Sequence, residues 1–220
     1  MTKKVHTCIV LDRSGSMENC RTDAIGAVNS FLRQTKSDAT ADSRISLVIF
    51  DSQSIDVIRD RLPAEACKEL APAEYEPRAS TPLLDAVGHG AALLARSPET
   101  DERRVLAVMT DGLENASREY TKDTLKALLD RRQKEDGWLV IYLGAEHDAW
   151  AQAQSLGFAA GNVGSFHKKA MSSTVEAVRK RQARFVAAAD PVSEARFGGF
   201  TDEERAEMQG AKSPEARKQG

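Results

Sequence analysis

The chain has 220 residues, which is enough for one well-buried α/β domain with a short appendage. Its net charge of −2 at pH 7 argues against a surface built as a whole for nucleic acid. No apolar run is long enough to span a membrane, and residues 1–4 lead into the first predicted strand without a signal-peptide core. Three widely spaced cysteines without a Cys-x-x-Cys pair predict free thiols in a reducing compartment. We therefore expect a cytoplasmic protein that makes no membrane contact.

Strands and helices alternate along the sequence. Runs rich in β-branched residues predict strands at 5–11, 44–50, 52–61, 103–109, 138–143 and 162–165. Apolar residues at helical spacing predict helices at 24–36, 83–96, 120–135, 145–156 and 171–189. The polar stretch 63–78 is punctuated by proline and is expected to be irregular. This alternation predicts a mostly parallel sheet covered by helices on both faces.

The first predicted strand runs into the stretch Asp12-Arg13-Ser14-Gly15-Ser16, which precedes the first predicted helix. Glycine allows a sharp backbone turn between the two serines. One carboxylate and two hydroxyls therefore lie within five residues on a loop at the carboxyl end of a strand. Oxygen clusters of this kind suit a hard divalent cation such as Mg²⁺.

Two later stretches supply further oxygens at similar boundaries. Thr81 lies in a Ser-Thr-Pro sequence directly before the helix predicted at 83–96, and Asp111 with Gly112 follows the strand predicted at 103–109. Asp-x-Ser-x-Ser, then Thr, then Asp in Thr-Asp-Gly, in this order, resembles the metal-ion-dependent adhesion site of von Willebrand factor A domains. The resemblance covers roughly residues 5–165.

The resemblance implies a doubly wound, six-stranded sheet of order 3-2-1-4-5-6, with strand 3 antiparallel. It implies Mg²⁺ (or Mn²⁺) bound directly by Ser14, Ser16 and Thr81, and partly through water by Asp12 and Asp111. The order reverses between strands 1 and 4, where ligands of such sheets bind. Considered alone, Asp12 is also compatible with a turn or helix cap, and Thr81 with an N-cap.

Neutral hydroxyl ligands leave the charge of the ion poorly compensated, so a carboxylate of a partner protein can complete its coordination. We predict that the rim of the site contacts this partner. Arg13 is expected to point into solvent, and Asp85 is expected to face either the site or solvent. The predicted rim residues are Arg13, Met17, Asp85, Glu114 and Asn115.

The end of the sequence departs from a bare A domain. Residues 1–189 are predicted to form the domain, and residues 190–220 a polar extension with one short helix after Thr201 and a disordered tail from about 212. The basic helix at 168–184 would suit an acidic partner or nucleic acid, or form one solvated face. Residues 142–158 resemble small stand-alone A-domain proteins of bacteria and phages.

The resemblance implies an adhesion or assembly module whose partner presents an acidic residue, with no small-molecule substrate. Two alternatives stay open: a scaffold whose site is degenerate and metal-free, and a metal-dependent hydrolase. Phosphatases of the haloacid dehalogenase type need a second Asp where Ser14 stands. A nucleophilic serine would need a general base, and only His147 follows a suitable strand end. The sequence has no nucleotide-binding glycine motif, so an enzyme is not expected.

Overall fold

The computed structural model of the chain describes residues 2–145, 149–167 and 170–211, with the backbone alone at residue 149. Six strands form one sheet of order β3-β2-β1-β4-β5-β6. All neighbouring strands are parallel except β2 and β3. The predicted fold class is therefore confirmed. The strands are β1 (Lys3–Asp12), β2 (Ala41–Phe50), β3 (Ile55–Pro63), β4 (Arg103–Thr110), β5 (Leu139–Ala145) and β6 (Val163–Phe166).

Helices pack on both faces of this sheet. Alternate residues of β1 show the division, because Ile9 and Leu11 belong to the apolar core under α1 and α5, whereas Cys8 and Val10 belong to the core under α2, α3 and α4. Both cores are continuous and buried, so the strands are apolar on both faces. The helices are α1 (Arg21–Ser37), α2 (Leu83–Ala95), α3 (Lys122–Lys134), α4 (Ala149–Ser155), α5 (Met171–Ala187), α6 (Pro191–Phe197) and α7 (Asp202–Met208).

The parallel connections bring the carboxyl ends of β1, β2 and β4 to one edge of the sheet. Asp12 pairs in register with Phe50, and Leu11 with Met109, so the residues that follow these strands emerge side by side. Helix α2 begins at this same edge, directly after Thr81 and Pro82. The three oxygen-bearing stretches of the sequence therefore converge, as their strand and helix boundaries predict.

The C-terminal extension contains two short helices where the sequence predicts one. The predicted cap of α7 is present, since the Thr201 side chain accepts a hydrogen bond from the Glu204 N–H. Helix α6 was missed, although Asp190 caps it by accepting from the Ser193 N–H. Met208 is fully buried in the same core as α1 and α5, so the extension packs as part of the folded body.

Side chains of α7 and of Gln209, which directly follows it, cover the outer edge of the last strand. Arg205 donates to the main-chain oxygen of Val163, and Gln209 donates to that of Ser165 at 2.5 Å. The His167 N–H donates to the Met208 main-chain oxygen at 2.9 Å. An edge strand otherwise offers such groups to other chains, so α7 closes this edge of the sheet.

Within the described residues of α5, the basic side chains are largely paired with acids of the fold, which leaves little basic surface there for an acidic partner or nucleic acid. Arg181 is fully buried and pairs with Glu194 at 2.8 Å. Arg184 pairs with Glu204 at 2.6 Å, and Arg179 with Glu176 at 2.8 Å. Two of the three acids that neutralise these arginines come from the extension.

Several predictions concern residues outside the described ranges. They are the start of the fourth helix and His147 at residues 146–148, the lysines at 168 and 169, and the disordered tail from 212 onward. Cys8, Cys20 and Cys67 are all buried. None of the described helices is both long and apolar enough to cross a bilayer.

Candidate functional site

The two serines of the first loop lie beside the acid of β4. The Oγ atoms of Ser14 and Ser16 are 3.1 Å apart, and the Ser16 hydroxyl donates to Oδ1 of Asp111 at 2.5 Å. Ser14 is almost fully buried at the bottom of the loop, whereas Ser16 is exposed. The structure therefore brings two predicted hydroxyl ligands and one predicted carboxylate into direct contact.

Asp12 is the deepest residue of the site and is fully buried. Its Oδ1 accepts from the Ser14 N–H at 2.7 Å, and its Oδ2 accepts from the Thr110 hydroxyl at 2.5 Å. Burial raises the pKa of Asp12 to about 6, these hydrogen bonds oppose the rise, and the nearby charge of Asp111 adds to it. Asp12 thus lies in a place where a neighbouring cation would stabilise its charged form.

Thr81 is held by a pair of hydrogen bonds from the loop after β4. Its N–H donates to Oδ1 of Asn115 at 2.8 Å, and its main-chain oxygen accepts from the Asn115 N–H at 3.1 Å. Ala79, two residues earlier, has a φ of 58°, a left-handed conformation that costs energy in a residue other than glycine. The Ala79 oxygen accepts from the Gly15 N–H at 3.1 Å. The loop of Thr81 is thereby fixed to both neighbouring loops.

Gly112 shows how closely these oxygens surround a common point. A Cβ atom added there would lie 2.9 Å from Oγ1 of Thr81, and 3.5 Å from both Oδ2 of Asp12 and Oγ of Ser16. Three predicted ligands from two loops, Asp12 and Ser16 after β1 and Thr81 before α2, therefore face the same small space beside the loop after β4. Glycine at 112 leaves that space open to a small ion.

The donor set fits Mg²⁺ or Mn²⁺. It consists of three hydroxyls, from Ser14, Ser16 and Thr81, and two carboxylates, from Asp12 and Asp111, and hard oxygen ligands of this kind suit both ions. Within the described ranges, no three His, Cys, Asp or Glu side chains form a metal-binding group. An ion at this place would consequently depend on the hydroxyls.

Arg13 does not point into solvent, and the structure corrects that prediction. Its side chain is only 8% exposed, because its Nε donates to Asp51 at 2.7 Å and its Nη2 donates to Asp56 at 2.8 Å. Arg78 also donates to Asp51, at 3.0 Å. Burial raises the pKa of Asp51, but hydrogen bonds from the Gln53 N–H, Arg78 and Arg13 outweigh it and leave that pKa below its usual value. Arg13 thus joins the first loop to the β2–β3 turn.

Two more predicted rim residues are buried. Met17 is fully buried in the core under α1, so it anchors the loop from below. Asp85 is 5% exposed, and its carboxylate accepts from the main-chain N–H groups of Arg118, Glu119 and Tyr120 at 2.7 to 3.0 Å. Both residues have structural roles, and neither forms part of an exposed rim.

Glu114 and Asn115 stay close to the site. Glu114 is half-buried, and its carboxylate accepts from the Leu84 N–H at 3.0 Å at the start of α2 and from the Ser117 hydroxyl at 2.7 Å. Asn115 is exposed beside Thr81. Gln152 of α4 donates to the Gly112 oxygen at 3.3 Å and accepts from the Glu114 N–H at 3.0 Å. The loop after β4 is therefore held from two sides.

Sequence reasoning missed several residues that position the site. Asp51 follows a buried strand, as Asp12 and Asp111 do, and this shared pattern was the signal that could have revealed it. Thr110 also had such a signal, since it immediately precedes Asp111. No local signal marked Tyr75, whose hydroxyl donates to the main-chain oxygen of Asp12 from an irregular stretch.

Comparisons with known proteins identify the fold. No protein-family model matches the sequence, and no curated protein is significantly similar to it. The von Willebrand factor domain of the type V pili tip protein Mfa5 from Porphyromonas gingivalis is 12% identical over 86% of this chain and 98% of that chain, with a TM-score of 0.64. A von Willebrand factor type A structure from Catenulispora acidiphila is 15% identical over 81% of this chain, with a TM-score of 0.59.

The PilB minor pilin from Streptococcus sanguinis is 12% identical over 86% of this chain and 64% of that chain, with a TM-score of 0.58. The present chain spans only 42% of the Catenulispora chain. Identities this low are informative about the fold alone. The sheet order and helix placement of the present chain agree with that fold. The chain has the α/β fold of von Willebrand factor type A domains.

Proposed function

We propose that this chain is a divalent-metal-dependent protein-binding module and not an enzyme. Ser14, Ser16 and Thr81 would hold Mg²⁺ with the help of Asp12 and Asp111. The ion would supply a positive charge to which a partner protein coordinates an acidic side chain. The observation that carries the proposal is the convergence of three hydroxyls and two carboxylates beside Gly112 at the carboxyl edge of the sheet.

The charge distribution supports this role. Asp12 and Asp111 bring two acidic groups together, and the neighbouring Arg13 turns away to Asp51. Without an ion, an approaching carboxylate would meet negative charge, so we expect binding to depend on the metal. Ser16 and Asp111 lie at the surface of the site, where a partner can reach them.

The surroundings of the hydroxyls support binding rather than catalysis. The described hydrogen bonds of the Ser14 and Ser16 side chains join them to each other and to Asp111, and include no histidine. A serine nucleophile is normally activated by such a base. Proteins with this fold include a pili tip protein and a minor pilin, which is in keeping with a role in protein assembly.

Affinity capture with the intact chain tests the proposal. We expect captured partners to be retained in Mg²⁺ and lost in EDTA. Thr81→Ala should lower capture by about tenfold or more, whereas Thr81→Ser keeps the hydroxyl and should retain most of it. Circular dichroism of each variant checks that the fold is intact.

Two outcomes would favour the alternatives. Capture that persists in EDTA and in both Thr81→Ala and Ser14→Ala would identify a scaffold that does not use the metal. Metal-dependent hydrolysis of generic phosphate or acyl esters that disappears in Asp111→Ala would identify an enzyme.

A further inference from the structure

A polar cavity of about 430 Å³ opens directly beside Thr81. It adjoins the proposed metal site, because Ser80 precedes Thr81 in the chain and Asn115 is hydrogen-bonded to Thr81. Its lining residues are Ser52, Ser80, Asn115, Ala116, Ser117 and Arg118. A partner segment that reaches the metal would therefore pass over this cavity.

Arg118 is the charged residue of the cavity. It is exposed, and among the described residues its guanidinium has no ion-pair or hydrogen-bond partner. Arg13 and Arg78, at the same end of the sheet, are both bound to Asp51. The backbone of Arg118 is nevertheless fixed, since its N–H donates to buried Asp85 at 2.7 Å. A well-placed cation is thus left available to a ligand.

Other polar groups of the cavity also favour an anion. The Ser52 hydroxyl accepts from the Ser80 N–H at 3.1 Å, which leaves its own proton available. The amide Nδ2 of Asn115 and the hydroxyl of Ser80 have no described partner, so both can donate. No acidic side chain lines the cavity within the described part of the chain. The carboxylate of nearby Glu114 is occupied by main-chain N–H groups and the Ser117 hydroxyl.

We propose that this cavity, which we call the Arg118 cavity, is a second recognition point for an acidic segment of the partner protein. One carboxylate of the segment coordinates the ion, and a second carboxylate pairs with Arg118 and accepts hydrogen bonds from Ser80 and Asn115. The inference rests on the proposed function and narrows it. The partner is recognised by two acids at a fixed spacing, and not by a single acid.

Synthetic peptides test this directly, with the full chain in solution. The probes carry either one glutamate or two glutamates separated by one to four glycine or serine residues, and binding is followed by NMR titration in Mg²⁺ and in EDTA. At the best spacing, the second glutamate should improve affinity roughly three- to fivefold, as expected for a partly exposed ion pair. Arg118→Gln should remove this gain and leave binding of the one-glutamate peptide unchanged.

Arg96→Gln is the matched control. Arg96 is also exposed and follows the far end of α2, about 20 Å from the site at 1.5 Å per helical residue, so its loss should change neither peptide's affinity. A gain that persists in Arg118→Gln, or no gain at any spacing, would overturn the second recognition point while metal-dependent binding of one glutamate stands. An Arg118-dependent gain that survives EDTA would instead overturn the metal role and keep the cavity. Absence of binding by every peptide would overturn both the metal role and the second recognition point. Inorganic phosphate is titrated separately, and its binding in place of the peptides would overturn the acidic segment as the occupant of the cavity and assign the cavity to a different anion.

Discussion

Gly112 is the residue at which the backbone approaches the proposed ligands most closely. Because a Cβ there would lie 2.9 Å from Oγ1 of Thr81, Gly112→Ala should displace that hydroxyl. Asn115 holds the Thr81 backbone on both sides, so the side chain has little room to adjust. We predict a loss of Mg²⁺ affinity of about 10- to 100-fold, measured by isothermal titration calorimetry.

Gly26→Ala is the control for this substitution. A Cβ at Gly26 meets nothing within 4 Å, and the residue lies on the exposed face of α1. Alanine there should raise the free energy of unfolding by about 0.5 to 1 kcal/mol and leave Mg²⁺ affinity unchanged. Equal Mg²⁺ affinity in Gly112→Ala and wild type would show that the space beside Gly112 is not where the ion binds.

The buried His6 imidazole should make the free energy of unfolding depend on pH, independently of the proposed metal site. Its ring is fully buried in β1, with Nε2 2.9 Å from the Ser46 hydroxyl and Nδ1 3.8 Å from a carboxylate oxygen of Glu102. Burial, the main cause, and the charge of Arg61 together lower the pKa of His6 to about 4, although the charge of Asp60 opposes them. The His6 imidazole is therefore protonated more readily in the unfolded chain than in the folded one. The contribution of the neutral His6 imidazole to the free energy of unfolding is complete above about pH 6.5 and is lost as the pH falls towards 4.

At about 1.4 kcal/mol per unit of pKa, this contribution is on the order of 3 kcal/mol. We predict that His6→Gln flattens the fall in unfolding free energy between pH 6.5 and 4, as measured by urea denaturation. His89→Gln serves as the control, because that imidazole is exposed and its pair with Glu119 contributes little. If the unfolding free energy fell as steeply with pH in His6→Gln as in the wild type, His6 would not be the source of this pH dependence.

The proposed ligands were predictable from sequence because each follows a strand or precedes a helix. Asp12 and Asp111 end buried β-branched runs, and Thr81 precedes a proline at a helix start, so local patterns placed all three. Arg13 and Met17 were placed wrongly for the opposite reason. Arg13 pairs with Asp51 in the distant β2–β3 turn, and Met17 turns under its own loop into the core. Neither contact leaves a periodic or compositional signal.

At the scale of elements, α7 and the arginines of α5 depend on each other. Arg181 is fully buried against Glu194 of α6, and Arg184 pairs with Glu204 of α7. Removing the acids would leave a buried guanidinium unpaired, which typically costs about 3–5 kcal/mol. Removing the whole extension would also remove Arg205 and Gln209, which cover the main-chain oxygens of Val163 and Ser165 on β6.

We therefore predict that a chain ending at residue 189, the predicted domain boundary, is destabilised by several kcal/mol. Thermal unfolding of the truncated and full chains measures the loss. Because an uncovered edge strand pairs with other chains, sedimentation velocity should also show association that grows with concentration. Unchanged stability and a monomeric truncated chain would instead support residue 189 as the end of an independent domain.

The elements that sequence predicted best are those whose burial shows in their composition. Strands β1, β2, β4 and β5 are continuous apolar runs, and the structure places them at the centre of the sheet. Helix α6 was missed because its seven residues include only a few apolar side chains. Its position is fixed by the buried pair of Arg181 with Glu194, a contact that sequence alone does not reveal.

At the scale of the molecule, the order of strands determines where the site lies. The order in which successive strands are added to the sheet reverses between β1 and β4. The connections after these two strands therefore lead to opposite sides and leave a crevice between them. Asp12 ends β1, and Asp111 directly follows β4. Strand β2, the other neighbour of β1, is followed by Asp51, which binds Arg13 and Arg78. Acids thus follow three adjacent strands, two in the proposed site and one beside it.

Calorimetric titration of Mg²⁺ into the metal-free chain measures directly whether the five proposed ligands bind an ion. We predict one bound ion in the wild type, and a loss of affinity of at least about tenfold in Asp111→Ala and in Ser14→Ala. Glu119→Ala removes an exposed acid from the same end of the molecule and should bind Mg²⁺ as the wild type does. No binding by the wild type, or equal binding by all four proteins, would rule out a metal site formed by these residues.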